Sequence, residues 1–281
     1  GSEANLADAR DRWGDRVVVH REDAADPVAM AEICRRDRPD VVFNLATKAL
    51  LYSFFNPVGA CRVNLDIALT LLELLRGGAF ERLVHSSSSE VYGTAQQVPM
   101  DEDHPLLAET TYAAGKAAAD LAVASYVRMF GVDAVTVRPF NNYGPRQNAG
   151  AFAAVVPLTI DRIRRGEQPV LQGDGSQTRD FIHVLDSVEA MMRIAGCSGL
   201  AGEVLNVGSG VETPIATVVG TIAELMGWEG GIHHEPPRPA DVLRHCASVS
   251  RAEQHIGPIA VTPLRDGLAS TIDWYRARWS T

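Results

Sequence analysis

The segment Tyr112-Ala113-Ala114-Gly115-Lys116 sets a phenol and an ammonium four residues apart. On a helix those two positions share a face, one turn from each other. Lysine is a compact charge on a slim stem; beside a phenol it favours the anion, where an arginine fork would be too broad. The chain holds only two lysines, Lys48 and Lys116, among 26 basic residues. Lysine at this place therefore stands out from a composition that otherwise writes its cations as arginine. The spacing is that of a tyrosine base tuned by a lysine. Taken alone, the pair reads more readily as an accidental i,i+4 contact on a solvated helix face.

Two further clusters add chemistry. Ser86-Ser87-Ser88-Ser89-Glu90-Val91-Tyr92-Gly93 brings hydroxyls and a carboxylate directly after a strand-like run. Asn141-Asn142-Tyr143-Gly144-Pro145 stands in the equivalent place after a later one. With Tyr112 and Lys116 opening the helix between them, polar groups converge on one cleft. A packing-only account does not predict that convergence.

These groups need a frame. Val17-Val18-Val19 within 16–20, DVVFNLA at 40–46, RLVHS at 82–86 and DAVTVR at 133–138 read as buried strands. Helical patterns fill the gaps: one begins at Pro27 after Asp26, one runs from about Pro57 to Leu75, and one from about Thr111 to Phe130. Gly77-Gly78 and Gly131 end the latter two. Strands spaced by helices of this length imply right-handed crossovers and a doubly wound parallel sheet. Beyond Pro145 the rhythm changes to helices near 151–165, 214–227 and 264–279 with short strands at 169–172 and 203–207. The expected architecture is α/β: residues 1–150 as a Rossmann-type dinucleotide-binding domain, residues 151–281 as a smaller α/β lobe over the carboxyl ends of the sheet, where ligands of such sheets bind.

The bulk properties exclude several classes. A formal charge of −9 leaves no basic stripe for nucleic acid. No run of about 18 apolar residues occurs, so no membrane span is expected. Cys34, Cys61, Cys197 and Cys246 lack CxxC spacing and read as free thiols of a cytoplasmic protein. The adjacent His233 and His234 have no partner at metal-ligand spacing and read as a surface pair, so no metal site is expected. No GxGxxG turn occurs either. The expectation is a Rossmann sheet that lacks its glycine-rich first βα unit, through truncation, omission or true absence.

Together these segments resemble the extended short-chain dehydrogenase/reductase family of nucleotide-sugar epimerases, dehydratases and decarboxylases. The resemblance rests on the NLA segment at 44–46, the helix bearing Asn64, SSSSEVYG, YxxxK and RPFNNYGP. It continues through Gly173-Asp174-Gly175, Thr178-Arg179-Asp180-Phe181, Asn206-Val207-Gly208 and Arg238-Pro239-Ala240-Asp241. It implies NAD as cofactor and a nucleotide-diphosphate sugar as substrate. Tyr112 would take the sugar O4 proton as the C4 hydride leaves, its pKa lowered by Lys116 and by the nicotinamide. Lys116 would also bind the nicotinamide ribose, and Ser88 would share the O4 hydrogen bond. Asp23 would contact adenine, or else serve as a helix-entry acid. Lys48 would point to cofactor and substrate, or else lie exposed on its loop. Asn141, Arg179 and Arg238 would grip the diphosphate, where guanidinium forks suit paired oxygens.

Glu90 discriminates between reactions. A C4 ketone acidifies the C5 proton, and a carboxylate two residues beyond Ser88 can remove it. Loss of the C6 hydroxyl, with hydride returned to C6, then gives a 4-keto-6-deoxy sugar. Ser88-Ser89-Glu90 resembles the Thr-Ser-Glu of GDP-mannose 4,6-dehydratases and UDP-glucuronate decarboxylases; Ser89 stands where dTDP-glucose 4,6-dehydratases carry an acid. The NNYGP segment and Ile272-Asp273-Trp274-Tyr275 look more like those dTDP-glucose enzymes. The expectation is an NDP-hexose 4,6-dehydratase. A 4-epimerase, a UDP-glucuronate decarboxylase, a non-catalytic nucleotide-sugar-binding protein and an oxidoreductase on a non-sugar alcohol remain as alternatives. The helices at 57–75 and 111–130 resemble those that pair family members as homodimers through a four-helix bundle.

Overall fold

The computed structural model describes residues 3–148, 150, 153–237 and 243–279. Helices α1 (Ala7–Trp13) and α2 (Pro27–Asp37) lead to strand β1 (Val41–Asn44). Then follow α3 (Pro57–Arg76), β2 (Arg82–Ser86), α4 (Thr111–Phe130) and β3 (Ala134–Pro139). The next segment holds β4 (Asn141–Tyr143), α5 (Val155–Arg164), β5 (Val170–Gln172), β6 (Thr178–His183), α6 (Val184–Gly196) and β7 (Val204–Val207). Strand β8 (Glu212–Pro214), α7 (Ile215–Leu225), β9 (His233–Glu235), α8 (Ser250–Ile256) and α9 (Leu264–Trp279) complete the order.

The helices start where their sequences offer caps. Asp26 Oδ1 accepts from the Val28 and Ala29 amides at 2.8 and 3.2 Å, with Pro27 in the first turn. Asn56 Oδ1 accepts from Gly59 N at 2.8 Å to open α3, and Thr110 Oγ1 from Ala113 N at 3.2 Å to open α4. Gly131, at φ 66°, ends α4 in the left-handed conformation that glycine reaches without a Cβ penalty.

Strands β1, β2, β3 and β7 form a parallel sheet in that order. Val42 pairs with Leu83, Val84 with Val135, and Val137 with Leu205. Apolar residues cover both faces, as a parallel sheet requires. Leu71, Leu72, Leu75 and Val123 of α3 and α4 pack with Leu83 and Ala134 on one side. On the other, Ala190, Met191 and Ile194 of α6 and Ala252 of α8 pack with Val84, Val137 and Leu205. A second core joins Val156 and Ile160 of α5, Val218 and Ile222 of α7, and Leu268 and Ile272 of α9 around Tyr143 and Phe181.

Two expectations are corrected. Residues 17–20 form no strand: among the described residues no strand pairs with them, and Val18 and Val19 are 63% and 38% exposed. A β-branched run becomes a strand only when a neighbour completes the ladder. Strand β7, expected in the smaller lobe, is instead the fourth member of the main sheet. The chain returns to that sheet through α6, an amphipathic helix that the periodicity reading passed over. All four cysteines are free, His233 and His234 are exposed on β9, and among the described residues no helix is long and apolar enough to cross a membrane.

Candidate active site

Tyr112 sits in the first turn of α4 with its amide donating to Ser53 Oγ at 2.9 Å, which ties the helix start to the 3-10 turn at 50–54. The phenol is packed deeply enough that burial raises its pKa. The Ser88 hydroxyl opposes that rise, the charge of Glu90 adds to it, and the Thr47 hydroxyl again opposes it. The structure thus gathers Ser88, Glu90 and Thr47 from two strand ends around one phenol. To act as a base, Tyr112 needs further positive charge beside it.

Lys116, one turn on, is 2% exposed and donates from Nζ to the Ser86 carbonyl at 2.8 Å. Burial pushes its pKa down to about 8, against the pull of Asp120. An ammonium carries three N–H groups, and Ser86 O is the one acceptor it meets among the described residues. The two remaining donors fit ribose hydroxyls, so the site suits the nicotinamide ribose expected from the resemblance.

The loop after β2 holds its shape through its own residues. Ser88 Oγ accepts from Glu90 N at 3.2 Å and opens a 3-10 turn that carries Glu90. Tyr92, fully buried, donates to Asn206 Oδ1 at 2.7 Å and anchors the end of that turn to β7. The loop after β1 is held by Asn64 on α3, whose Oδ1 accepts from Thr47 Oγ1 at 2.8 Å and from Lys48 N at 3.1 Å.

Asn141 and Arg179 line one cavity of about 640 Å3, together with Phe181, Gln177, Val155 and Leu158. Register explains the meeting: Asn141 on β4 pairs with Phe181 on β6, two residues beyond Arg179. Leu50 and Leu51 also line the cavity and belong to the same turn as Ser53, which joins it to the tyrosine cluster. Arg179 donates to the Thr178 carbonyl at 2.8 Å. The next residue, Asp180, is fully buried and accepts from the amides of Ser209, Gly210 and Ala247, so the strand end bearing Arg179 is firmly held.

The remaining expected residues lie elsewhere. Asp23 is exposed in the turn ahead of α2, where its Oδ1 accepts from Ala25 N at 3.0 Å; the helix cap is Asp26. Lys48 is exposed, with Nζ 5.5 Å above the Tyr52 ring. Arg238 lies outside the described residues.

Sequence reasoning missed Thr47, Ser53 and Asp120. Asp120 was signalled by its place one further turn along the Tyr112 and Lys116 face. Thr47 was signalled by following a strand end. Ser53 carried no signal, because only the folded turn brings it under Tyr112.

Comparison with known proteins extends this geometry. The family model for GDP-mannose 4,6 dehydratase matches residues 2–271. A UDP-glucose 4-epimerase of Mycolicibacterium smegmatis is 34% identical over 241 residues, 85% of this chain and 77% of that protein. A dTDP-glucose 4,6-dehydratase of the same organism is 32% identical over 286 residues, 100% of this chain and 83% of its own. The crystal structure of a dTDP-glucose 4,6-dehydratase from Streptomyces venezuelae, with NAD bound, superposes with a TM-score of 0.89 at 27% identity, covering 100% of this chain and 85% of that one. A tyrosine–lysine helix, a serine–glutamate strand end and this sheet thus occur in a chain that belongs to the GDP-mannose 4,6 dehydratase family, within the extended short-chain dehydrogenase/reductase nucleotide-sugar epimerases and dehydratases.

Proposed function

We propose that this chain is an NAD-dependent NDP-hexose 4,6-dehydratase working through a 4-keto sugar. The observation that supports the reading is the grouping of Ser88 and Glu90 about Tyr112, with the buried Lys116 one helical turn on. A dehydration needs two proton acceptors on adjacent carbons, and this cluster offers a phenol and a carboxylate side by side.

Tyr112 takes the O4 proton, and Ser88 orients that hydroxyl. Lys116 holds the nicotinamide ribose and supplies the charge that turns the phenol into a base. Bound NAD supplies a reversible hydride acceptor. Glu90 takes the C5 proton once C4 is a ketone. Ser89 offers no acid for the departing C6 hydroxyl, so Glu90 returns its proton there and water leaves; as hydride reaches C6, C5 regains a proton from water through Glu90. Asn141 and Arg179 hold the diphosphate in the cavity beside β6, and Arg238 is assigned to the same diphosphate by the resemblance. Asp23 and Lys48, both exposed, are assigned to the cofactor side by the resemblance alone. Residues 1–150 then mainly carry the cofactor and residues 151–281 mainly the nucleotide sugar.

A second reading is a 4-epimerase. It is favoured by the 34% identity to a UDP-glucose 4-epimerase and by Ser89, since epimerisation requires no acid there. Pairing as a homodimer through α3 and α4 fits the apolar Val58, Leu121 and Met129, which are 65%, 62% and 70% exposed on those helices. Free thiols fit a reducing, cytoplasmic setting.

Incubation with NAD and each of dTDP-glucose, GDP-mannose, UDP-glucose and UDP-glucuronate tests the proposal. A product lighter by one water supports it. An isobaric product moves the assignment to the epimerase, and loss of carbon dioxide to a decarboxylase.

A further inference from the structure

The face of α4 that bears Tyr112 and Lys116 continues to Asp120, so the three stand at i, i+4 and i+8. Asp120 is 5% exposed. Its Oδ2 accepts from Arg138 Nε at 2.9 Å. Its Oδ1 accepts no hydrogen bond among the described residues and lies 3.8 Å from His85 Nε2, too far for a direct bond. Burial raises the pKa of this carboxyl, and the Arg138 charge, the nearby Ser87 hydroxyl and the Lys116 charge oppose that rise and favour the anion.

The charged and titratable groups around that lysine come from four elements. Tyr112 and Asp120 lie on α4, His85 on β2, Arg138 on β3, and Glu90 in the turn that faces Tyr112. His85 is wholly buried, and burial followed by the Lys116 charge pushes its pKa down to about 3, so it is neutral. Arg138 is cationic and donates onward from Nη1 to the Tyr92 hydroxyl at 3.0 Å. Lys116 Nζ itself meets a neutral carbonyl. On the buried side of the amine, Asp120 is the one anion among these groups, and a buried ammonium is costly without one.

We propose that Asp120 is a positioning residue whose buried carboxylate keeps Lys116 a cation against the Ser86 carbonyl, so that a charged amine stands beside Tyr112. Asp120 touches neither substrate nor cofactor in this role; it acts through Lys116. The idea rests on the reading of Tyr112 and Lys116 as the reacting pair, but its test does not require turnover.

Two lysines in the whole chain make the test direct. Protein labelled with [ε-13C]lysine gives one resonance for Lys48 and one for Lys116, and each is titrated by NMR. The wild-type Lys116 signal is expected to titrate near 8. In Asp120→Asn it should titrate lower by about one unit or more, with Lys48 unmoved, and Asp120→Glu should restore it. An unchanged Lys116 titration in folded Asp120→Asn overturns the proposal, whatever happens to the melting temperature. Should that variant not fold, the wild type still decides: buried lysines without a counter-charge titrate at about 5–6, and a midpoint there overturns the idea. With an active preparation, the alkaline limb of kcat/KM in Asp120→Asn should move to lower pH; a limb that stays in place contradicts it. Absence of any nucleotide-sugar turnover would sink the catalytic reading and leave the NMR result standing.

Discussion

Gly115 meets Cys61 backbone to backbone: a Cβ on Gly115 would lie 2.5 Å from the Cys61 carbonyl oxygen and 2.9 Å from its Cα. Helix α4 can cross α3 this closely only where a side chain is missing. The crossing falls between Tyr112 and Lys116, so it sets where both side chains emerge.

Gly115→Ala should therefore hurt, although alanine is favoured over glycine in a helix interior by about 1 kcal/mol. Backbone cannot give way as a flexible side chain does. The expected outcome is a loss of about 1–3 kcal/mol in denaturant unfolding, typical of overpacking. A shift of α4 should also lower kcat by up to about 100-fold, the scale of small misplacements. Steady-state kinetics beside an unfolding curve reads both.

Tyr112→Phe keeps the ring and removes the base. Turnover should fall by about 100- to 10,000-fold, the range of general acid–base contributions. Binding of the nucleotide sugar, followed by calorimetry, should hardly change, because the residues proposed to hold the diphosphate, Asn141 and Arg179, line the adjoining cavity.

Arg179→Ala should show the opposite pattern. A hydrogen bond to a charged group contributes about 1.5–3 kcal/mol, so Kd for the nucleotide sugar should weaken roughly 10- to 150-fold. Arg179→Lys should recover only part of that, since a point charge cannot span two oxygens as a fork does.

His85 should make the fold acid-sensitive. Its pKa is pushed from 6.5 to about 3 by burial and by the Lys116 charge. The unfolded chain takes up this proton near pH 6.5 while the folded chain waits until about 3, so the unfolded state binds more protons in between. Stability from this group is full above about 6.5 and lost as pH falls toward 3, on the order of 3–5 kcal/mol in total. Urea unfolding from pH 7 to pH 4 should fall more steeply in the wild type than in His85→Gln.

Much of this was legible before the fold was known, where the signal was local. Helix α4 carries its start at Thr110 and its stop at Gly131, and β2 runs over the residues its hydrophobic run marks. Tyr112, Lys116, Ser88 and Glu90 could be grouped because each sits at a strand end or helix start. Long-range pairing decided the rest. Val17-Val18-Val19 has the composition of a strand but no described neighbour to ladder with. Strand β7 looks like part of a second lobe until its register with β3 places it in the first sheet. Thr47 and Asp120 were in plain view, yet only burial shows that one reaches the phenol and the other the lysine.

The central claim is that the hydride taken from C4 is set down at C6 while Tyr112 and Glu90 handle the protons. Turnover of dTDP-glucose or GDP-mannose deuterated at C4, with the product read by NMR, tests it most directly. The account predicts a 4-keto-6-deoxy product with deuterium in the C6 methyl group. Deuterium still bound to C4 of an isobaric product would contradict it.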